Sequence, residues 1–262
     1  MKLSLCKCLI FVLVFGSITW QFGCDSPAKK MVQDKEQNRP KTSNDDNASI
    51  ADYENDGTFD VITGAVDPME HLLPEKDEKA RSLFDGETLD GWELIEFGGE
   101  GDIEVVDGEI RMDPGDPLTG ICVTEDTELP TSNYEISLEG MKLDGHDFFS
   151  AVTFPVNDSF CTLVVGGWGG QLVGLSNLDG QDASSNHTRV MRKFEKDRWY
   201  AIRIQVLPDR ITAWIDDEKL VDESIEGVEV SIRGDIIGTT PLGITSFQTY
   251  SSIRNIKLRK MN

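Results

Sequence analysis

The stretch "WYAIRIQVLPDRITAWIDDEKLV", residues 199–221, decides the fold class. Tyr200, Ile202, Ile204 and Val206 alternate with Ala201, Arg203 and Gln205, the two-residue period of a strand with one buried face. Pro208-Asp209 reverses the chain, and Ile211, Ala213 and Ile215 return with the same period. Asp216-Asp217 turns it again before Leu220-Val221. Strands joined by such short turns pair antiparallel.

The same grammar extends in both directions. "IEVVDGEIRM" (103–112) reads as a hairpin, because Asp107-Gly108 suits the positive φ angles of a type I′ turn. "NYEISLEG" (133–140) sets Tyr134, Ile136 and Leu138 against Glu135, Ser137 and Glu139. "LGITSF" (242–247) and "IRNIKLRK" (253–260) supply the last strands, and no window holds a helical period. Short strands separated by turns over residues 82–262 predict an all-β sandwich of two antiparallel sheets, of jelly-roll type.

The first 81 residues follow other rules. Lys2 and Lys7 precede an apolar run from Leu9 to Ile18, too short to span a bilayer and suited to a signal peptide over residues 1–23. "QFGCDS" places Gly23 before Cys24 and is similar to the lipobox of bacterial lipoproteins. That resemblance implies lipidation of Cys24 and a chain held at the cell envelope, outside the cytoplasm, through its N-terminal lipid only; simple secretion is the alternative. Residues 24–81 are rich in Lys, Asp, Glu, Asn and Ser, and read as a flexible acidic linker. Within them "DYENDGTFDVIT" (52–63) imitates a calcium loop, but Thr63 occupies the place of the bidentate Glu, so it reads as an acidic turn.

Charge and cysteines narrow the partners. The chain has 47 acidic and 25 basic residues, a net charge of −22, which repels phosphate backbones and excludes nucleic acid as a partner. Cys6 and Cys8 leave with the signal peptide, and Cys24 carries lipid. Cys122 and Cys161 remain, as a disulfide or as two core thiols.

"LFDGETLDGW" (83–92) and "RWYAIRIQVLPDRITAWIDDEKLVD" (198–222), with Arg254 to Leu258, occur in an order that resembles the 3-keto-disaccharide hydrolase family. The resemblance implies a concanavalin A-like jelly roll and a hydrolase acting on glycosidic bonds. The middle, "HDFFSAVTFPVNDS" (146–159) and "TLVVGGWGGQLVGLSNLDG" (162–180), departs from the family pattern and lacks the acid expected on its second strand.

A 3-keto group acidifies the neighbouring C2–H, so a base can remove that proton and expel the glycosidic oxygen, after which water adds back. Such chemistry needs a base and a group that stabilises an enolate oxygen. His146, Asp147 and Asp158 are the catalytic candidates, and His187 is a further possible base or ligand. Gly-Gly pairs on both sides of Trp168 remove Cβ atoms, so a sugar ring could stack on the indole. Asn177, Asp179, Asp182 and Asn186 follow as polar contacts to a glycan or 3-keto-glycoside. The turn from Asn177 to Asp182 is also a candidate for calcium or another divalent metal. The rival readings are a lectin-like glycan-binding module and a protein-interaction module of the envelope. No nucleophile elbow, phosphate loop or zinc spacing is present.

Overall fold

A computed structural model describes residues 80–261. The signal segment, Cys24, the calcium-like loop and the linker up to residue 79 lie outside the described residues. In chain order the strands are β1 (Ala80–Ser82), β2 (Trp92–Leu94), β3 (Ile103–Val106), β4 (Glu109–Met112), β5 (Leu118–Val123), β6 (Tyr134–Gly145), β7 (Ser150–Val156), β8 (Ser159–Gly166), β9 (Leu172–Ser176), β10 (Val190–Met191), β11 (Trp199–Leu207), β12 (Arg210–Ile215), β13 (Glu218–Ser224), β14 (Gly243–Phe247) and β15 (Thr249–Lys260). One sheet, sheet A, runs β13-β12-β11-β6-β15-β4-β3, with β1 added against β15. The other, sheet B, runs β10-β9-β8-β7-β14-β5-β2. The result is a jelly-roll sandwich.

The local rules explain the elements. β11, β12 and β13 form the expected meander, with Ile202 opposite Ile215 and Ile211 opposite Glu223. Asp107 and Gly108 have φ of 54° and 80°, the double positive φ that closes the β3–β4 hairpin. Inward positions such as Tyr134, Ile136 and Leu138 of sheet A and Val152, Phe154 and Leu163 of sheet B are fully buried against one another. Burial of these large side chains is the main stabilising term, on the order of 2 kcal/mol each.

One reading from alternation fails. Glu135 and Glu139 fall on the outer face of β6, yet they are only 3% and 2% exposed. Arg203 and Arg259 close over Glu135 at 3.3 and 2.9 Å, and Arg254 closes over Glu139. The Arg203 and Arg254 guanidinia also lie 3.8 and 4.1 Å over the rings of Trp214 and Trp199. Arginine stems and indoles thus shield this face from water, and paired cations offset the cost of burying two carboxylates.

Cys122 on β5 is half-buried, Cys161 on β8 is buried, and both are free thiols.

Candidate functional site

The outer face of sheet B is a trough because of the residues in one row. Gly174, Val164, Ala151, Thr245 and Gly120 stand in register across β9, β8, β7, β14 and β5. Ala151, with its single methyl, keeps the middle of this row low between Val164 and Thr245, while Ala183 and Thr188 cover the row at Gly174. Phe148, Phe247 and Leu118 form one wall, and a 3₁₀ turn at Gly234–Thr239 forms the other with Ile236. The hydroxyl of Thr239 ties that turn to the sheet by donating to Thr153 at 2.8 Å. The trough has a volume of about 260 Å³ and is open to solvent along one side.

Trp168 stands at one end, on the turn between β8 and β9. Its backbone is left-handed (φ 47°, ψ 59°) and its residue surface is 43% exposed. A bulky L-residue holds that conformation only where its surroundings impose it. Here Asp147 imposes it. Its Oδ1 accepts the Trp168 N–H at 3.1 Å and the Phe148 N–H at 2.8 Å, and its Oδ2 accepts the Gly169 N–H at 3.2 Å. The Asp147 N–H in turn donates to Thr249 Oγ1 at 3.2 Å. Three of a carboxylate's roughly four acceptor positions are therefore occupied by backbone donors. Gly170 completes the turn: at φ 89°, a Cβ there would meet the His146 carbonyl oxygen at 3.2 Å.

The other residues proposed from sequence are distributed more widely. His146 is exposed in the β6–β7 loop beside Asp147. Asp158 is exposed in the β7–β8 turn, at the opposite end of β7, and is not brought to the trough. Asn177 pairs through its backbone with Ser231 at 2.6 and 3.1 Å, and its side-chain oxygen accepts from Ser176 at 2.8 Å. Asp179 is exposed and accepts the Glu229 N–H at 2.9 Å. Asn186 is buried, donating to the Leu175 and Gln181 carbonyls and accepting from the Thr188 N–H and hydroxyl. Its hydrogen-bonding capacity is spent on holding the loop. His187 contacts Glu223 at 2.7 Å, outside the trough.

Arg233, Asp235 and Thr245 line the trough and were not singled out from sequence. Arg233 grips Asp235 through two parallel bonds, Nε to Oδ1 at 3.1 Å and Nη2 to Oδ2 at 3.0 Å, and reaches Asp182 at 3.2 Å. The hydrogen bond from Arg233 holds the Asp235 carboxyl below its usual range. Burial pushes the Asp182 carboxyl up, but hydrogen bonds from Ser184 and Ser185 and the charge of Arg233 outweigh it and bring it down. The charged pair in "SIRGD" (231–235), in a segment without strand period, was the available signal. Thr245 makes no hydrogen bond through its hydroxyl among the described residues, so that group is open to a ligand.

The turn from Asn177 to Asp182 does not fit a metal. Among the described residues no group of three or more His, Cys, Asp or Glu side chains could hold one. A guanidinium beside Asp182 also opposes a second cation there.

A two-sheet jelly roll with an aromatic-edged trough across one outer face defines the class, a carbohydrate-related jelly-roll domain. Residues 79–259 match the 3-keto-alpha-glucoside-1,2-lyase-like domain, and the chain belongs to that family. Similar solved structures include the exoplasmic/lumenal domain of VIP36 in its Ca²⁺-bound form, with TM-score 0.50, 12% identity, and coverage of 71% of this chain and 93% of that one. The carbohydrate-binding module CBM66 from Bacillus subtilis gives TM-score 0.44, 12% identity and coverages of 65% and 96%. The Crh5 transglycosylase in complex with NAG gives 0.49, 14%, 70% and 85%. At these identities the likeness is one of fold. No curated protein sequence matches the chain.

Proposed function

We propose that the trough binds a glycoside with one sugar ring against Trp168, and that the domain cleaves 3-keto-glycosides there by elimination. The observation that carries this reading is the Asp147–Trp168 arrangement, which holds a half-exposed indole in a strained backbone beside a cavity of about 260 Å³. Apolar sugar faces stack on such a ring, and hydroxyls exchange hydrogen bonds with a few placed polar groups, here accepting from Arg233, donating to Asp235 and doing either with Thr245. In the reaction a base removes the C2 proton, the electron pair forms an enolate with the C3 carbonyl, and the glycosidic oxygen then leaves with a proton. Arg233 supplies a cation for the enolate oxygen, and His146, whose carbonyl borders the Gly170 end of the Trp168 turn, is the candidate base.

One observation favours a second reading, binding without cleavage. The carboxylates lining the trough are already engaged, Asp147 by backbone N–H groups and Asp235 by Arg233. Incubation with 3-keto-glycosides and with the parent glycosides separates the two. Release of aglycone from the 3-keto form supports cleavage, and saturable binding without release supports a glycan-binding module. Neither binding nor release would remove both.

We also propose export to the cell envelope with lipid on Cys24. The basic start, short apolar run and Gly23-Cys24 junction support it. Mass spectrometry of the mature N-terminus tests it, and a Cys24→Ser chain that remains membrane-bound contradicts it.

A further inference from the structure

The trough changes character along its length. Its polar groups gather over β8 and β9. The segment that carries them starts beside Asn177, just past β9, where Ser231 exchanges backbone hydrogen bonds with it at 2.6 and 3.1 Å. Arg233 follows two residues later, reaches Asp182 and grips Asp235. The N–H groups that Arg233 does not spend there are available to a ligand. Ser176 on β9 and Thr162 on β8, in register with each other, line the trough on the same strands. Trp168 stands on the turn that joins those strands.

From β7 onward the trough is apolar. Phe148 precedes β7, and its carbonyl accepts the Phe247 N–H at 3.0 Å, while Phe247 is in register with Leu118. These three side chains therefore stand in one row across β7, β14 and β5. The two phenylalanine rings lie 5.6 Å apart, tilted by 50°. The covering segment presents Ile236 to this half, because Thr239, three residues on, is tied to Thr153 of β7. Ala151 forms the floor, and Thr245 contributes the single hydroxyl of this half among the described lining residues.

The two halves suit different chemistry. A sugar carries several hydroxyls around its rim, and each one buried without a partner lowers affinity by roughly tenfold or more. One threonine cannot satisfy a second sugar in the apolar half. A planar aromatic ring brings no such groups, and it meets the phenylalanines in the offset and edge-on arrangements that such rings favour. We propose that the substrate is a glycoside of an aromatic alcohol. The sugar lies over β8, between Trp168 and the Arg233–Asp235 pair, and the aromatic aglycone lies between Phe148, Phe247 and Ile236. This assignment rests on the reading of the trough as a glycoside site.

The test compares the 3-keto-α-glucosides of methanol, benzyl alcohol and glucose on the unaltered full chain. Initial rates at limiting substrate give kcat/KM where the alcohol is released, and calorimetry gives Kd where it is not. Methanol and benzyl alcohol are leaving groups of similar basicity, so a difference between them reports the pocket rather than the bond broken. The benzyl compound should be favoured at least about tenfold over both of the others. Phe247→Ala, checked for folding by a thermal melt, should bring the benzyl-to-methyl ratio below about three. The ligand series itself does not depend on that variant. Equal values for all three compounds, a preference for the glucosyl compound, or an unchanged ratio in a folded Phe247→Ala chain overturns the aglycone assignment and leaves the glycoside site standing. Failure to bind or cleave any of the three removes the site itself, and the assignment with it.

Discussion

The carboxylate of Asp147 holds the backbone of Trp168, 21 residues away in sequence, through an N–H bond of 3.1 Å to Oδ1. Its other oxygen takes the N–H of Gly169, so the carboxylate spans the first half of the turn. The acid thereby converts a glycine-rich connection into a fixed mount for one indole. It is a positioning residue for the proposed sugar platform.

Trp168→Gly separates platform from scaffold. Glycine adopts positive φ freely, so the substitution should leave stability unchanged or raise it by up to about 1 kcal/mol. Glycoside affinity should fall at least tenfold, about 1.4 kcal/mol. Calorimetric titration alongside a thermal melt reads both, and a stable variant with undiminished affinity would remove Trp168 from the site.

Asp147→Ala strands N–H groups that the carboxylate now accepts. A loss of roughly 1–3 kcal/mol in stability is expected, together with a fall in affinity like that of Trp168→Gly. Asp147→Asn keeps an acceptor oxygen and should retain part of both. If the Asn variant instead keeps full affinity and loses all turnover, Asp147 is the base and the mount is incidental.

The Arg233–Asp235 pair sets an acid limb. Its bond depresses the folded carboxyl below the unfolded value, so the contribution is present above the unfolded pKa and is lost as pH falls through the folded one. The pair's contribution should therefore be full and independent of pH around neutrality and should decline below about pH 4. Arg233→Gln should flatten that part of the profile and weaken glycoside binding at pH 7. An acid limb of the same size in the variant counts against the pair.

Burial pushes the Cys161 thiol up to about 12, and burial, then the charge of Glu93, raises Cys122 as well. Since the thiolate is the reactive form, both should label slowly at pH 8 in the folded state, with half-buried Cys122 first. Unfolding without reductant should expose both thiols. Recovery of neither would reveal a disulfide between them.

Strand periodicity and turn chemistry are local, and sequence alone determined them. Tyr200 to Val206 declare a buried face, Asp107-Gly108 declares a hairpin, and no competing helical pattern exists. The Gly-Trp-Gly run announced an unusual backbone for the same reason, since two Cβ-free pairs beside a large ring serve ordinary packing poorly. Long-range pairing is another matter. β6 lies between β11 and β15, and Ala151 faces the trough while Ser150 faces the interior, only because of registers with strands far along the chain. Tertiary structure therefore decided that Glu135 and Glu139 are roofed by arginines, that Asp158 stands away from Asp147, and that Arg233 and Asp235 wall the cavity. Side-chain alternation says that two faces differ, but it does not say what will cover each one, because that depends on crossovers whose closure carries no short-range signal.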